Sequence, residues 1–171
     1  MVVDSPFTEF ARTSLGAGIV VGVAVVVFTG TLLWASQRGR PDRWSLVAAG
    51  GIGATFIALL NIVLRSAGIW RSTDYTLPIP VLVSFILLIT VLLTWAVVFY
   101  RWLWRRRGGP IFSAVLLGLI AVLTMVGDEF ALARRYIAFG DGYTVWMDAV
   151  VAVVIFIITV LAYELPRSRM A

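Results

Sequence analysis

Phe99-Tyr-Arg-Trp-Leu-Trp-Arg-Arg-Arg-Gly-Gly-Pro110 closes the longest uninterrupted apolar run in this chain. From Val81 to Tyr100 no charged residue occurs in twenty positions. At a rise of about 1.5 Å per residue, such a helix crosses a hydrocarbon core of about 30 Å. Trp102 and Trp104 suit the headgroup layer that follows, while Arg101, Arg105, Arg106 and Arg107 resist translocation and favour anionic lipid. The stretch is expected to anchor the cytoplasmic end of a membrane span, and fixing that end orients every other segment.

Composition points the same way. Of the 171 residues, 61% are hydrophobic and 13% are charged, which excludes an ordinary soluble domain and leaves one small membrane domain, residues 1–171. The net charge of +5 sits in short arginine clusters between apolar runs. Orientation in a membrane explains those clusters, so no nucleic-acid partner is expected.

Missing residue types restrict the chemistry. The sequence has no His, no Cys and no Lys, so all fourteen basic residues are Arg. The usual ligands for haem, copper, zinc and iron-sulfur centres are absent, and no disulfide or lysine Schiff base can form. No cofactor and no metal is expected.

Working outward from the Arg cluster, five apolar runs mark spans at about 15–35, 45–64, 81–100, 111–127 and 143–163. The fourth has the option of continuing to 136, because Asp128-Glu-Phe-Ala-Leu-Ala-Arg-Arg-Tyr136 keeps a helical pattern. Residues 1–14 hold Asp4, Glu9 and Arg12 ahead of the first run, and the larger positive cluster follows it, the reverse of a secretory signal. Pro41 breaks the first turn, Pro78 and Pro80 predict an extended approach to span three, and Gly140 and Gly142 flank Asp141 in the last loop. Residues 66–80, with Trp70, Arg71, Asp74 and Tyr75, have the interfacial mixture of a segment lying on the membrane surface.

Small residues predict where helices approach closely, since in lipid Leu gains nothing by leaving the tails. Gly18 and Gly22 form a GxxxG pair on span one, and Gly50, Gly51 and Gly53 make span two nearly free of bulk at its start. Gly30 stands at matching depth on span one, so it is expected to face that patch. Ser84, Thr90 and Thr94 are expected to bond back to their own helix and mark nothing by themselves.

The proposed cytoplasmic segments hold nine arginines and the external ones five, counting Arg38, Arg40, Arg43, Arg101, Arg105, Arg106, Arg107, Arg167 and Arg169 against Arg12, Arg65, Arg71, Arg134 and Arg135. This bias predicts an N-terminus outside, a C-terminus inside and an odd number of spans, in the cytoplasmic membrane of a prokaryote. Anionic headgroups on the cytoplasmic side, other membrane subunits or further copies of the chain are the expected partners.

Three functional classes compete. A non-enzymatic accessory or structural subunit, acting through helix and lipid contacts, fits the lack of catalytic groups and the short loops. The alternative is a small transporter or channel component, with Asn61, Arg65, Asp128, Glu129, Arg134, Arg135 and Asp148 lining a polar vestibule near the outer leaflet. Asp148 carries that idea, because it lies below Tyr143, and it is expected to pair with Arg65, Arg134 or Arg135. The third class, an intramembrane enzyme using Asp128, Glu129 and Asp148 as acid and base, lacks a nucleophile and a metal-ligand set.

Overall fold

The computed structural model describes residues 4–37, 42–72, 77–104 and 109–168. Their order is α1 (Pro6–Arg12), α2 (Ser14–Ala35), α3 (Asp42–Ser66), β1 (Trp70–Ser72), α4 (Ile79–Trp104), α5 (Gly109–Ala133), β2 (Ile137–Phe139) and α6 (Val145–Ser168). Among the described residues, helices α2 to α6 are the five long and apolar enough to cross a membrane, which makes the chain a polytopic helical membrane protein. The fourth of them runs on through Asp128 and Glu129 to Ala133. Arg105, Arg106 and Arg107 of the expected anchor lie outside the described residues, as do Arg38, Arg40, Asp74, Tyr75 and Arg169.

Successive spans run in opposite directions, giving the bundle one end closed by β1 and β2 and another at Arg101. The segment before α2 is more than a tail. Ser5 caps α1 by accepting from Thr8 N at 3.0 Å, and Thr13 caps α2 by accepting from Gly16 N at 3.0 Å. This folds α1 back so that Ala11 joins Val20, Leu77 and Val81 in a buried cluster, with Phe7 edge-on to Phe85 at 5.7 Å. Pro80 also departs from the extended approach expected of it. It sits in the first turn of α4, where its missing N–H is no loss, and Pro78 O receives Val81 N at 2.9 Å.

Helix α4 is the packing centre. Glycines at 50 and 53 on α3 leave no room for a side chain: a Cβ on Gly50 would run into Thr94 and the Thr90 carbonyl of α4, and one on Gly53 into Leu93 of α4 and Thr159 of α6. Thr90, Thr94 and Thr159 are all buried. Their hydroxyls donate to Ile86 O, Thr90 O and Ile155 O at 2.8, 2.7 and 2.8 Å, so each polar group is satisfied within its own helix and the helices pack closely across them.

This corrects the expected Gly30 contact. The Gly50 and Gly53 patch meets α4 and α6, and Gly30, like Gly18, Gly22 and Gly51, has nothing within 4 Å of where a Cβ would stand. Trp34 follows Gly30 by one turn on the same face, and it rests on Trp95 of α4 with ring centroids 4.8 Å apart. That bulk holds α2 off as an aromatic contact, while the compact threonines fill the concavity on α3.

At the Arg101 end, Leu46, Ala49, Val97 and Tyr163 form a second buried cluster. Arg101 donates to Asp42 Oδ2 at 3.1 Å and stacks its guanidinium over Tyr163 at 4.8 Å, so it ties α4 to α3 and α6. Trp102 and Trp104 remain exposed, as interfacial tryptophans are. Arg43 donates to Trp34 O at 2.8 Å, closing the last turn of α2 onto the start of α3.

Candidate functional site

Two helix ends build the closed end of the bundle. Helix α3 stops at Gly68, whose φ of 72° lets Gly68 N reach Arg65 O and Ile69 N reach Leu64 O, both at 2.9 Å. Helix α5 stops the same way at Arg135, with φ 59°, Arg135 N on Leu132 O at 2.9 Å and Tyr136 N on Ala131 O at 2.8 Å. Both turns throw the chain into strands, and β1 and β2 pair antiparallel with Trp70 opposite Phe139 and Arg71 opposite Ala138. Gly140 N extends the ladder to Ile69 O at 2.7 Å. Residues 70–72 of the 66–80 connection are thus clasped to the α5–α6 connection, because both helix ends release free backbone groups side by side.

Beneath this clasp, a cavity of about 470 Å³ lies among α3, α4, α5 and α6. Leu92, Leu93, Ile120, Val151, Ala152 and Phe156 supply apolar wall, and Asn61, Thr124, Trp70 and Asp148 supply its polar atoms. Asn61 donates its amide to Ile57 O at 3.1 Å and Thr124 its hydroxyl to Ile120 O at 2.9 Å. The volume and the apolar wall with few polar groups are those of small-molecule sites, which run to about 300–1,000 Å³.

Asp148 stands in the first turn of α6, where the helix dipole favours a negative charge. Its Oδ1 accepts from Tyr143 Oη at 2.7 Å. Across the α5–α6 contact, the Asp128 carboxyl stands near enough to the Asp148 carboxyl for the two to influence each other. Asp128 Oδ2 is buried, and no donor among the described residues reaches it. The Tyr143 phenol is held above its ordinary range, first by burial and then by its bond to Asp148 and the nearby carboxylate charge, so it stays a donor throughout neutral pH.

Of the residues expected to form a vestibule, Asn61 and Asp148 share the cavity and Asp128 joins Asp148. Glu129 is exposed beside Asp128, and Arg65 is exposed in the last turn of α3. Arg134 lies over the Phe130 ring at 5.6 Å, and Arg135 borders an outer hollow beside Tyr143. The expected Asp148–Arg pair is therefore corrected: the described hydrogen-bond partner of Asp148 is the Tyr143 phenol. Arg134 follows the end of α5 at Ala133, six residues beyond Asp128, and lies over Phe130 instead.

Three contributors were not expected at the site. Tyr143 is five residues from Asp148, outside any helical spacing. Trp70 reaches the cavity only through strand pairing across the chain, and Thr124 looks like any back-bonded span hydroxyl. No family model, curated protein or solved structure matches this chain. Fold and site together define the class: a helical membrane protein with five candidate spans among the described residues and a cavity lined by four of them.

Proposed function

We propose that this protein binds a small, mainly apolar molecule in the cavity between α3, α4, α5 and α6, as a binding or transport component that carries out no covalent chemistry. The cavity carries the reading: about 470 Å³ of space lined mainly by apolar side chains, with Asn61, Trp70, Thr124 and Asp148 as its polar lining. The lack of His, Cys and Lys supports a non-enzymatic role. The test is calorimetric titration of neopentylbenzene into the nanodisc-embedded protein, corrected against empty nanodiscs. Saturable one-to-one binding is expected, with at least a tenfold loss in Ala152→Phe, which fills the cavity. Equal binding by a folded Ala152→Phe variant overturns the reading.

A second reading, an accessory subunit, is favoured by α5, whose Val115, Leu119, Val122, Leu123 and Val126 are all exposed. In the bilayer that face meets lipid or another chain. Cross-linking from Cys placed at Leu119 in native membranes tests it, and monomer alone at every dose removes its support.

We further infer that the Arg101 end faces the cytoplasm and anionic lipid, from the nine-to-five arginine division. Gly108→Cys is expected to resist an impermeant thiol reagent in intact cells and react once cells are opened. Labelling in intact cells reverses the orientation.

A further inference from the structure

Building on the reading of the cavity as a binding site, we propose that its occupant is a small organic cation, its apolar body in the cavity and its charge against Asp148 and the face of Trp70. Asp148 and Trp70 both line the space, and Phe156 adds a second ring to its wall. Asp148 is the acidic side chain among the lining residues, and a carboxylate there accepts hydrogen bonds and attracts a cation. Tyr143 supplies one neutral donor to that charge.

Among the described residues no ion pair joins an arginine to Asp148, whose hydrogen-bond partner is Tyr143. Arg134 lies over Phe130, and Arg135 borders the outer hollow. Asp128 Oδ2 is buried without a donor among the described residues. A negative charge beside a low-dielectric cavity strengthens attraction for a cation, and an indole face adds the quadrupole contact used for quaternary ammonium groups. An anion meets only repulsion there. A neutral molecule of equal shape gains the apolar contacts and nothing from the carboxylate.

The two probes are benzyltrimethylammonium, which has a permanent charge, and neopentylbenzene, its neutral isostere. Each is titrated into the nanodisc-embedded protein and its variants, with empty nanodiscs subtracted. Asp148→Asn is expected to weaken the cation at least tenfold and to change the neutral isostere less than twofold. Where Asp148→Asn fails to assemble, Trp70→Leu gives the same contrast, a several-fold loss for the cation alone. Both probes changing in parallel, or the cation failing to bind where the isostere binds, overturns the cation assignment and leaves the cavity reading standing. Binding of neither probe overturns both.

Discussion

Tyr143 Oη donates to Asp148 Oδ1 at 2.7 Å, joining the end of the β2–α6 connection to the first turn of the helix that follows. The bond fixes the one acidic side chain that lines the cavity, from a residue lying outside the spans.

A titration follows from this pairing. The folded protein holds the Tyr143 phenol above its usual value, by burial and then by Asp148. Its contribution is therefore fully present below the ordinary phenol value of about 10 and is lost as pH rises through the folded one. Among the five tyrosines, Tyr143→Phe should remove a late phase of the tyrosinate absorbance titration. It should also cost about 1 kcal/mol of stability at neutral pH. A titration curve that loses only an early phase would contradict the pairing.

Close helix approach at Gly50 and Gly53 predicts a sharp contrast with Gly30 and Gly51. Leucine at 50 or 53 has to displace Thr94, Thr90 O, Leu93 or Thr159, whereas leucine at 30 or 51 enters open space. Overpacking a tight contact costs about 1–3 kcal/mol or more. Unfolding temperatures in detergent should fall for Gly50→Leu and Gly53→Leu and hold within error for Gly30→Leu and Gly51→Leu. Similar losses at all four positions would mean that no such seam exists.

These glycines also show what was legible in the sequence. The apolar runs revealed the five spans because length and hydrophobicity are local properties. The glycine patch on α3 was visible too, but not its partner, because sequence adjacency favoured α2 while Thr90, Thr94 and Thr159 matched its shape better. Asp148 stood out as an acid within a span. Its partner was misjudged since charge type says nothing about depth, and Arg134 and Arg135 lie beyond the helix end. The clasp of β1 and β2 was illegible for a different reason: strands of three residues carry almost no periodicity, and their pairing joins residues 70–72 with 137–139.

Arg135 adopts the left-handed cap position that Gly68 fills at the equivalent turn of α3, with φ values of 59° and 72°. A non-glycine residue there costs about 1–2 kcal/mol, partly offset by the greater unfolded freedom of glycine. Arg135→Gly should therefore raise stability by up to about 1 kcal/mol, while Gly68→Ala should lower it by a similar amount. Thermal unfolding of the two variants beside Arg135→Ala separates backbone strain from loss of the guanidinium. If Arg135→Gly and Arg135→Ala are destabilised equally, the side chain outweighs the strain.

The clasp makes a register prediction that the cysteine-free sequence is suited to test. Arg71 and Ala138 stand directly opposite each other in the antiparallel ladder. Facing residues in such a pair have Cα atoms about 4.5–5.5 Å apart, inside the range of about 4.4–6.8 Å that a disulfide spans. A double variant with cysteines at 71 and 138 should oxidise rapidly to an intramolecular cross-link, seen as a mobility shift that a reductant reverses. Moving the second cysteine to 137 or 139 places it on the opposite face of β2, so those pairs should oxidise far more slowly. Gly140→Ala provides the complementary perturbation. Its Cβ would stand 2.6 Å from Gly68 O, so the two connections must separate and cross-linking between 71 and 138 should slow. Faster cross-linking of 71 with 137 or 139 than with 138 would show a shifted ladder, and with it a Trp70 that no longer lies over the cavity.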